Sequence, residues 1–154
     1  MHDAVISDAS CLIVLSKIDA ISLLKTVFDS ITTTPQVADE VGFELPSWIQ
    51  VSAPKMTTSL HDIPSSVDIG EASAIALALE LPNSTLIIDD LSARNYAKRL
   101  GLDVTGTIGV LVRAKIDGHV ASIRPFVEAI RTTNFRFSET VEKNAFILAG
   151  EEQR

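Results

Sequence analysis

Two short, largely apolar runs each stop on a carboxylate: Val5-Ile6-Ser7-Asp8 and Leu86-Ile87-Ile88-Asp89-Asp90. Runs this short, without polar alternation, predict strands buried on both faces, and such strands belong to parallel sheets covered by helices on each side. The rest of the sequence supplies the helices. After a first strand over Ala4 to Ser7, Leu12, Leu15 and Ile18, then Ile21, Leu24 and Phe28, support one or two helices. Ser30 to Thr33 reads as a short β segment. Thr34-Pro35 gives an N-cap followed by proline at the first helical position, opening a helix to about Gly42. Trp48 to Val51 is a further strand, and Pro54 to Ser66 a polar connection.

In the second half, Ala72, Ile75, Ala76 and Leu79 recur at the i, i+3, i+4, i+7 spacing of an amphipathic helix, capped by Asp68 and ended by Pro82-Asn83. Leu86 to Ile88 is the next strand, Leu91 to Leu100 a helix stopped by Gly101, and Asp103 to Thr105 a last strand. Gly106 leads into a helix through Lys115, and helices near Ser122–Arg131 and Glu139–Ala149 finish the chain. The expected architecture is a single domain over residues 1–154, a three-layer α/β/α sandwich with a parallel central sheet.

Composition narrows the function. With 46% hydrophobic and 21% charged residues and a mean hydropathy of +0.27, the chain can build a core and is not of the disordered class. No apolar run approaches the roughly 18 residues a membrane span needs, and the N-terminus lacks the basic region of a secretory signal. The single cysteine, Cys11, excludes an internal disulfide and suits a reducing cytosol, so a cytoplasmic location is expected; beside an apolar run it reads as a buried thiol. Net charge is −7, from 20 acids against 13 bases, which argues against broad electrostatic gripping of nucleic acid. It leaves room for a nuclease, because bound divalent cations offset a clustered acidic charge.

In open parallel sheets, ligands bind outside the carboxyl ends of the strands. If the two acid-ended strands are neighbours, Asp8, Asp89 and Asp90 gather at one rim. Each Asp has an alternative as the cap of the next helix. Asp89 directly follows its strand, whereas Asp90 stands where a helix starting at Leu91 wants an N-cap and has Arg94 four residues on. Glu40 flanks the apolar face marked by Val37 and Val41, with Asp39 on the opposite side; it is an edge residue or a site member. Glu71 has capping-box spacing from Asp68 and, taken alone, reads as a cap. Arg94, Lys98 and Arg99 form a small basic face. His2, His61 and His119 show no zinc spacing, TGTIG at 105–109 lacks a P-loop lysine and reads as a tight strand-to-helix turn, and no GxSxG elbow appears. A phosphatase-like hydrolase lacks its DxD motif after the first strand.

The stretches VISDASCLIVLSKI, TPQVADEVG, DIGEASAIALALEL and LIIDDLSARNYAKRLGLDVTGTIGVLVRAK run in the order of a known pattern. Over most of its length the chain resembles the PIN-domain superfamily, and within it a PIN-like branch related to VapC toxins. The resemblance implies an acidic pocket holding magnesium or manganese and hydrolysis of RNA phosphodiester bonds. Carried over by position, Asp8, Glu40, Glu71 and Asp89 are the catalytic and metal-holding acids, with Asp90 as a further metal ligand. Ser10, Thr107 and Arg94 become substrate-side or orienting residues, Arg94 as a phosphate contact. It also implies a small antitoxin partner and homodimer formation. The alternative from another class is a catalytically degenerate PIN-like module that binds RNA or a protein partner. An all-carboxylate donor set favours magnesium or manganese over zinc.

Overall fold

Strand β1 (Val5–Ser7) is the centre of the sheet. On one side lie β2 (Ile31–Thr33) and β3 (Ile49–Val51); on the other lie β4 (Thr85–Ile87) and β5 (Asp103–Thr105). All five are parallel, in the order β3-β2-β1-β4-β5. The computed structural model describes residues 3–55 and 60–151; part of the polar connection after Pro54 and the extreme termini, including His2, lie outside the described residues. The chain first winds outward from β1 to β3 and then returns to the far side of β1. The switch point therefore falls between β1 and β4, where ligand crevices open in sheets of this kind.

The strands alternate their side chains between two cores, as the pleat requires. Val5, Ile31 and Ile87 pack into one apolar cluster with α1 (Ala9–Lys17), α2 (Ser22–Phe28), α3 (Pro35–Val41), α6 (Thr107–Ile116), α7 (Arg124–Arg131) and α8 (Glu139–Leu148). Ile6, Leu86 and Ile88 point the other way, into a cluster with α4 (Ile69–Glu80) and α5 (Leu91–Arg99). Helices on both faces of one parallel sheet make the α/β/α sandwich, as expected from the apolar runs.

Strand boundaries differ from expectation by one residue: β1, β2 and β3 start at Val5, Ile31 and Ile49 rather than Ala4, Ser30 and Trp48, and β4 is shifted as a whole. Strand β4 starts at Thr85, not Leu86, because Thr85 N–H bonds to Ala4 C=O at 2.9 Å and the pairing with β1 ends at Ser7 opposite Ile87. Ile88 still donates to Thr105 C=O at 2.8 Å, so Asp89 remains the first residue beyond the sheet's hydrogen bonds.

The helix starts are chemically explicit. Asp8, Thr34, Asp68, Asp90 and Ser138 each accept a backbone N–H from the first turn of α1, α3, α4, α5 and α8. Pro35 opens α3, and Gly42, at φ +76°, closes it in a left-handed conformation that a Cβ would oppose. Thr34 does more than cap. Its buried hydroxyl meets Ser73 Oγ at 2.6 Å, and Ser73 Oγ donates to Gly70 C=O at 2.7 Å. That chain locks the start of α3 to α4, the two helices that carry Glu40 and Glu71.

Thr34→Ala removes both the cap and the buried bridge. We expect a loss of about 1–3 kcal/mol in a urea titration, with Thr34→Ser retaining most of the stability. A Thr34→Ala protein as stable as the wild type contradicts this account of the α3–α4 joint.

Candidate active site

The C-terminal ends of β1 and β4 are tied together by one carboxylate. Asp8 is only 2% exposed. Its Oδ1 accepts Cys11 N–H at 3.0 Å, capping α1, and its Oδ2 accepts Asp89 N–H at 3.0 Å. Asp8 N–H in turn donates to Ile87 C=O at 2.9 Å. Asp89 is then clamped by α6: Oδ1 accepts Thr107 N–H at 2.7 Å and Oδ2 accepts the Thr107 hydroxyl at 2.6 Å. Thr107 is fully buried. The two strand-end acids thus stand in series, Asp8 behind and Asp89 in front.

In front of Asp89 opens a cleft of about 640 Å³, lined by Ser10, Glu40, Glu71, Asp89 and Asp90. Lys17 and Arg136 supply positive charge on its wall, and Phe135 supplies an aromatic surface. Two glycines let the acids come close. A Cβ at Gly70 would lie 2.8 Å from Glu40 Oε1, and one at Gly106 would lie 2.8 Å from Asp89 Oδ1. The second is the stricter case, since Thr107 holds Asp89 in place.

Charge is unbalanced in the cleft, and the carboxyls show it. Burial, and then the Asp89 charge, push Asp8 well above the usual carboxylate range against its two backbone hydrogen bonds. Asp89 is also raised by burial, opposed by Thr107, Arg94 and the Ser10 hydroxyl. Glu71 rises from 4.5 to about 7, chiefly through burial, with Asp68, Asp90 and Glu40 adding repulsion and the Asp68 N–H bond opposing it. Glu40 is raised by burial and by Asp68. The Cys11 thiol, fully buried beside these acids, is raised too, which makes it a poor nucleophile.

The residues singled out from sequence fall into three places. Glu40, Glu71, Asp89, Asp90 and Ser10 line the cleft, while Asp39 is not among its lining residues. Asp8 and Thr107 lie buried behind Asp89 and set its position. Arg94 lines an adjoining groove beside Gly106, where a Cβ would lie 3.4 Å from its Nη1. Its charge acts on Asp89 rather than forming an i, i+4 ion pair with Asp90; Asp90 instead caps α5 through Ala93 N–H at 2.9 Å. Glu71 completes the capping box with Asp68 and also lines the cleft.

Sequence reasoning missed Lys17, Asn134, Phe135 and Arg136. A signal existed for Lys17: Ser10, Ile13, Val14 and Lys17 share one face of α1 at helical spacing, and all four line the cleft. Lys17 Nζ donates to Asn134 Oδ1 at 2.8 Å, which draws the segment between α7 and α8 onto the cleft wall. That contact spans 117 residues of sequence and leaves no local pattern.

The donor set fits a hard divalent cation. It offers carboxylate and hydroxyl oxygens, no imidazole, and an excess of negative charge that such an ion would relieve. Among the described residues, however, no three His, Cys, Asp or Glu side chains draw together into a group close enough to hold a metal.

The profile of the family DUF3368, a PIN domain, matches residues 4–151. The chain belongs to the PIN domain family, whose fold is of the nuclease type. No curated protein matches the sequence. No helix among the described residues is long and apolar enough to cross a membrane.

Glu71 contributes to the pH dependence of stability in the same direction as the raised Asp8, Asp89 and Glu40. Its folded pKa of about 7 lies above its ordinary 4.5, so the folded protein holds a proton that the unfolded chain has lost. The stabilising contribution is full below pH 4.5 and is lost as pH rises toward 7. In EDTA, urea midpoints should fall between pH 5 and pH 8. Glu71→Gln, which keeps an acceptor for Asp68 N–H, should flatten that fall. An unchanged slope in the variant contradicts the assignment.

Proposed function

We propose that this PIN domain is a divalent-metal-dependent endoribonuclease that hydrolyses RNA phosphodiester bonds, and that it is the toxin of a VapC-type toxin–antitoxin pair. The observation that carries the nuclease reading is the convergence of Glu40, Glu71, Asp89 and Asp90, from four separate elements or their ends, on one cleft at the sheet's switch point. The toxin reading rests on the four sequence stretches that resemble the VapC-related branch. A small antitoxin and a second copy of the chain are its expected partners, in the cytoplasm.

Magnesium or manganese held by Asp89, Glu40 and Glu71, with Asp90 beside them, would supply Lewis-acid stabilisation of phosphate charge and activation of water. The protein's own groups do the positioning. Thr107 fixes both oxygens of Asp89, and Asp8 fixes its backbone, so the front acid does not have to be ordered when substrate arrives. In the metal-free protein Glu71, with a pKa of about 7, carries a proton over part of the neutral range, which a cation held there would displace. Lys17 and Arg136 place cations where a polyanion enters, which offsets the net charge of −7 locally.

A second reading, a degenerate module that binds RNA or a protein without cutting, is favoured by one observation. Both oxygens of Asp8 and of Asp89 already accept hydrogen bonds from the protein.

Cleavage of a mixed RNA pool distinguishes the two. Wild type with manganese should cut, and chelation should stop it. Asp89→Asn should abolish cleavage and Glu40→Gln should impair it strongly, while Asp39→Asn and Asp90→Asn keep most activity, since Asn caps about as well as Asp. Thr107→Val, which unclamps Asp89, should cost about 10- to 100-fold. No cleavage by folded wild type under any metal supports the binding module instead. Millimolar manganese should also raise the melting temperature of the wild type by binding only the native state, and Asp89→Asn should lose most of that rise.

A further inference from the structure

A second groove, of about 440 Å³, opens directly from the acidic cleft. The two share Asp89, Leu91, Phe135 and Arg136. Beyond them the groove turns apolar, walled by Ile108, Phe137 and Leu148 and bearing the Asn144 amide. Leu91 and Leu148 are 69% and 67% exposed. Arg94 lines the same groove, and its Nε is buried with no hydrogen-bond partner. A desolvated donor of this kind is costly unless something supplies an acceptor.

We propose that this groove is the subsite for the unpaired base that adjoins the scissile phosphate of an RNA substrate. The proposal rests on the nuclease reading above. With a phosphate at Asp89, the neighbouring nucleotide must leave the acidic cleft across its rim, and the rim shared with the groove carries Phe135 and Arg136. Arg136 Nη1 donates to Thr133 C=O at 2.9 Å, which anchors its head on the turn that presents Phe135. Phe137 is already engaged, with Arg131 4.7 Å from its ring centre and Phe135 at 6.2 Å. Phe135 is thus the ring that borders both cavities. Aromatic faces accept any base by stacking, which suits single-stranded RNA. The Asn144 amide and the free Arg94 N–H give the groove donors and an acceptor for base edges or for the next phosphate. A cationic rim beside an apolar wall complements a nucleotide, an anion joined to a flat apolar ring.

The test uses the full chain in EDTA, where cleavage is stopped, and a fluorescently labelled single-stranded RNA that the wild type cuts in manganese. Its partners are two versions of that RNA with an abasic residue on one side or the other of the cut. One abasic version should bind the wild type about 5- to 100-fold more weakly than intact RNA, the range of one stacked base. Phe135→Leu, which keeps an apolar side chain for packing, should bind intact RNA as weakly as the wild type binds that abasic RNA, with no further loss on the abasic version. Asn144→Ala provides a second variant should Phe135→Leu melt early; it should also weaken intact RNA alone. If wild type cuts RNA but both variants bind intact RNA as tightly as it does, the subsite is wrong and the nuclease reading stands. If wild type neither binds nor cuts RNA, both are overturned.

Discussion

One buried carboxylate joins the parts of this protein that matter for its chemistry. Asp8 ends β1, starts α1 by accepting Cys11 N–H, and holds the chain after β4 by accepting Asp89 N–H. Without that acceptor, the Asp89 N–H, the first beyond the sheet's own hydrogen bonds, would have no partner next to a buried core, a cost of about 1–3 kcal/mol. The same bond fixes where Asp89 leaves the sheet. Thr107 then fixes how it points, and Gly106 leaves the space in which it does so. The switch point of the sheet is therefore more than an open crevice. It is a crevice whose front acid is held at three atoms by two different segments, the end of β1 and the start of α6.

That rigidity has an electrostatic consequence. Burial raises Asp8 and Asp89, and crowding among Asp68, Asp90 and Glu40 helps to raise Glu71 to about 7. The helix starts at Asp68 and Asp90 offer only partial compensation through their dipoles. Such a cluster is tolerated because packing elsewhere is extensive, and its excess charge is the physical property that a divalent cation would answer. Local cations stand at the edge of the cleft rather than within it: Lys17, Arg94 and Arg136 all lie along walls or in the adjoining groove. An acidic protein can in this way present a basic rim to a polyanion.

Much of the fold was legible because the sequence states it in local terms. Apolar runs such as Leu86-Ile87-Ile88 have no exposed face, so a doubly covered parallel sheet was the only economical home for them. Thr34-Pro35, Asp68 with Glu71, and Asp90 mark helix starts by side-chain chemistry that needs no tertiary information. The β4 boundary moved by one residue because pairing with β1, a non-local interaction, decides it. The position of the acids at a strand end was equally legible. The tiering of Asp8 behind Asp89 was not, since it depends on a bond across 81 residues. Neither was the direction of Arg94, which sits i+4 from Asp90 yet acts on Asp89. The wall formed by Asn134, Phe135 and Arg136 comes from a connection between helices with no periodicity to betray it.

The central claim is that the crevice between β1 and β4 holds a divalent cation through Asp89 and its neighbours. Manganese anomalous scattering from a crystal of the wild-type protein tests it most directly, because it locates the ion without assuming any activity. The account predicts a peak in the cleft bounded by Asp89, Glu40 and Glu71, and its loss in Asp89→Asn crystals grown and soaked alike. A wild-type crystal at millimolar manganese with no peak in that cleft, or with a peak that survives Asp89→Asn, would contradict it.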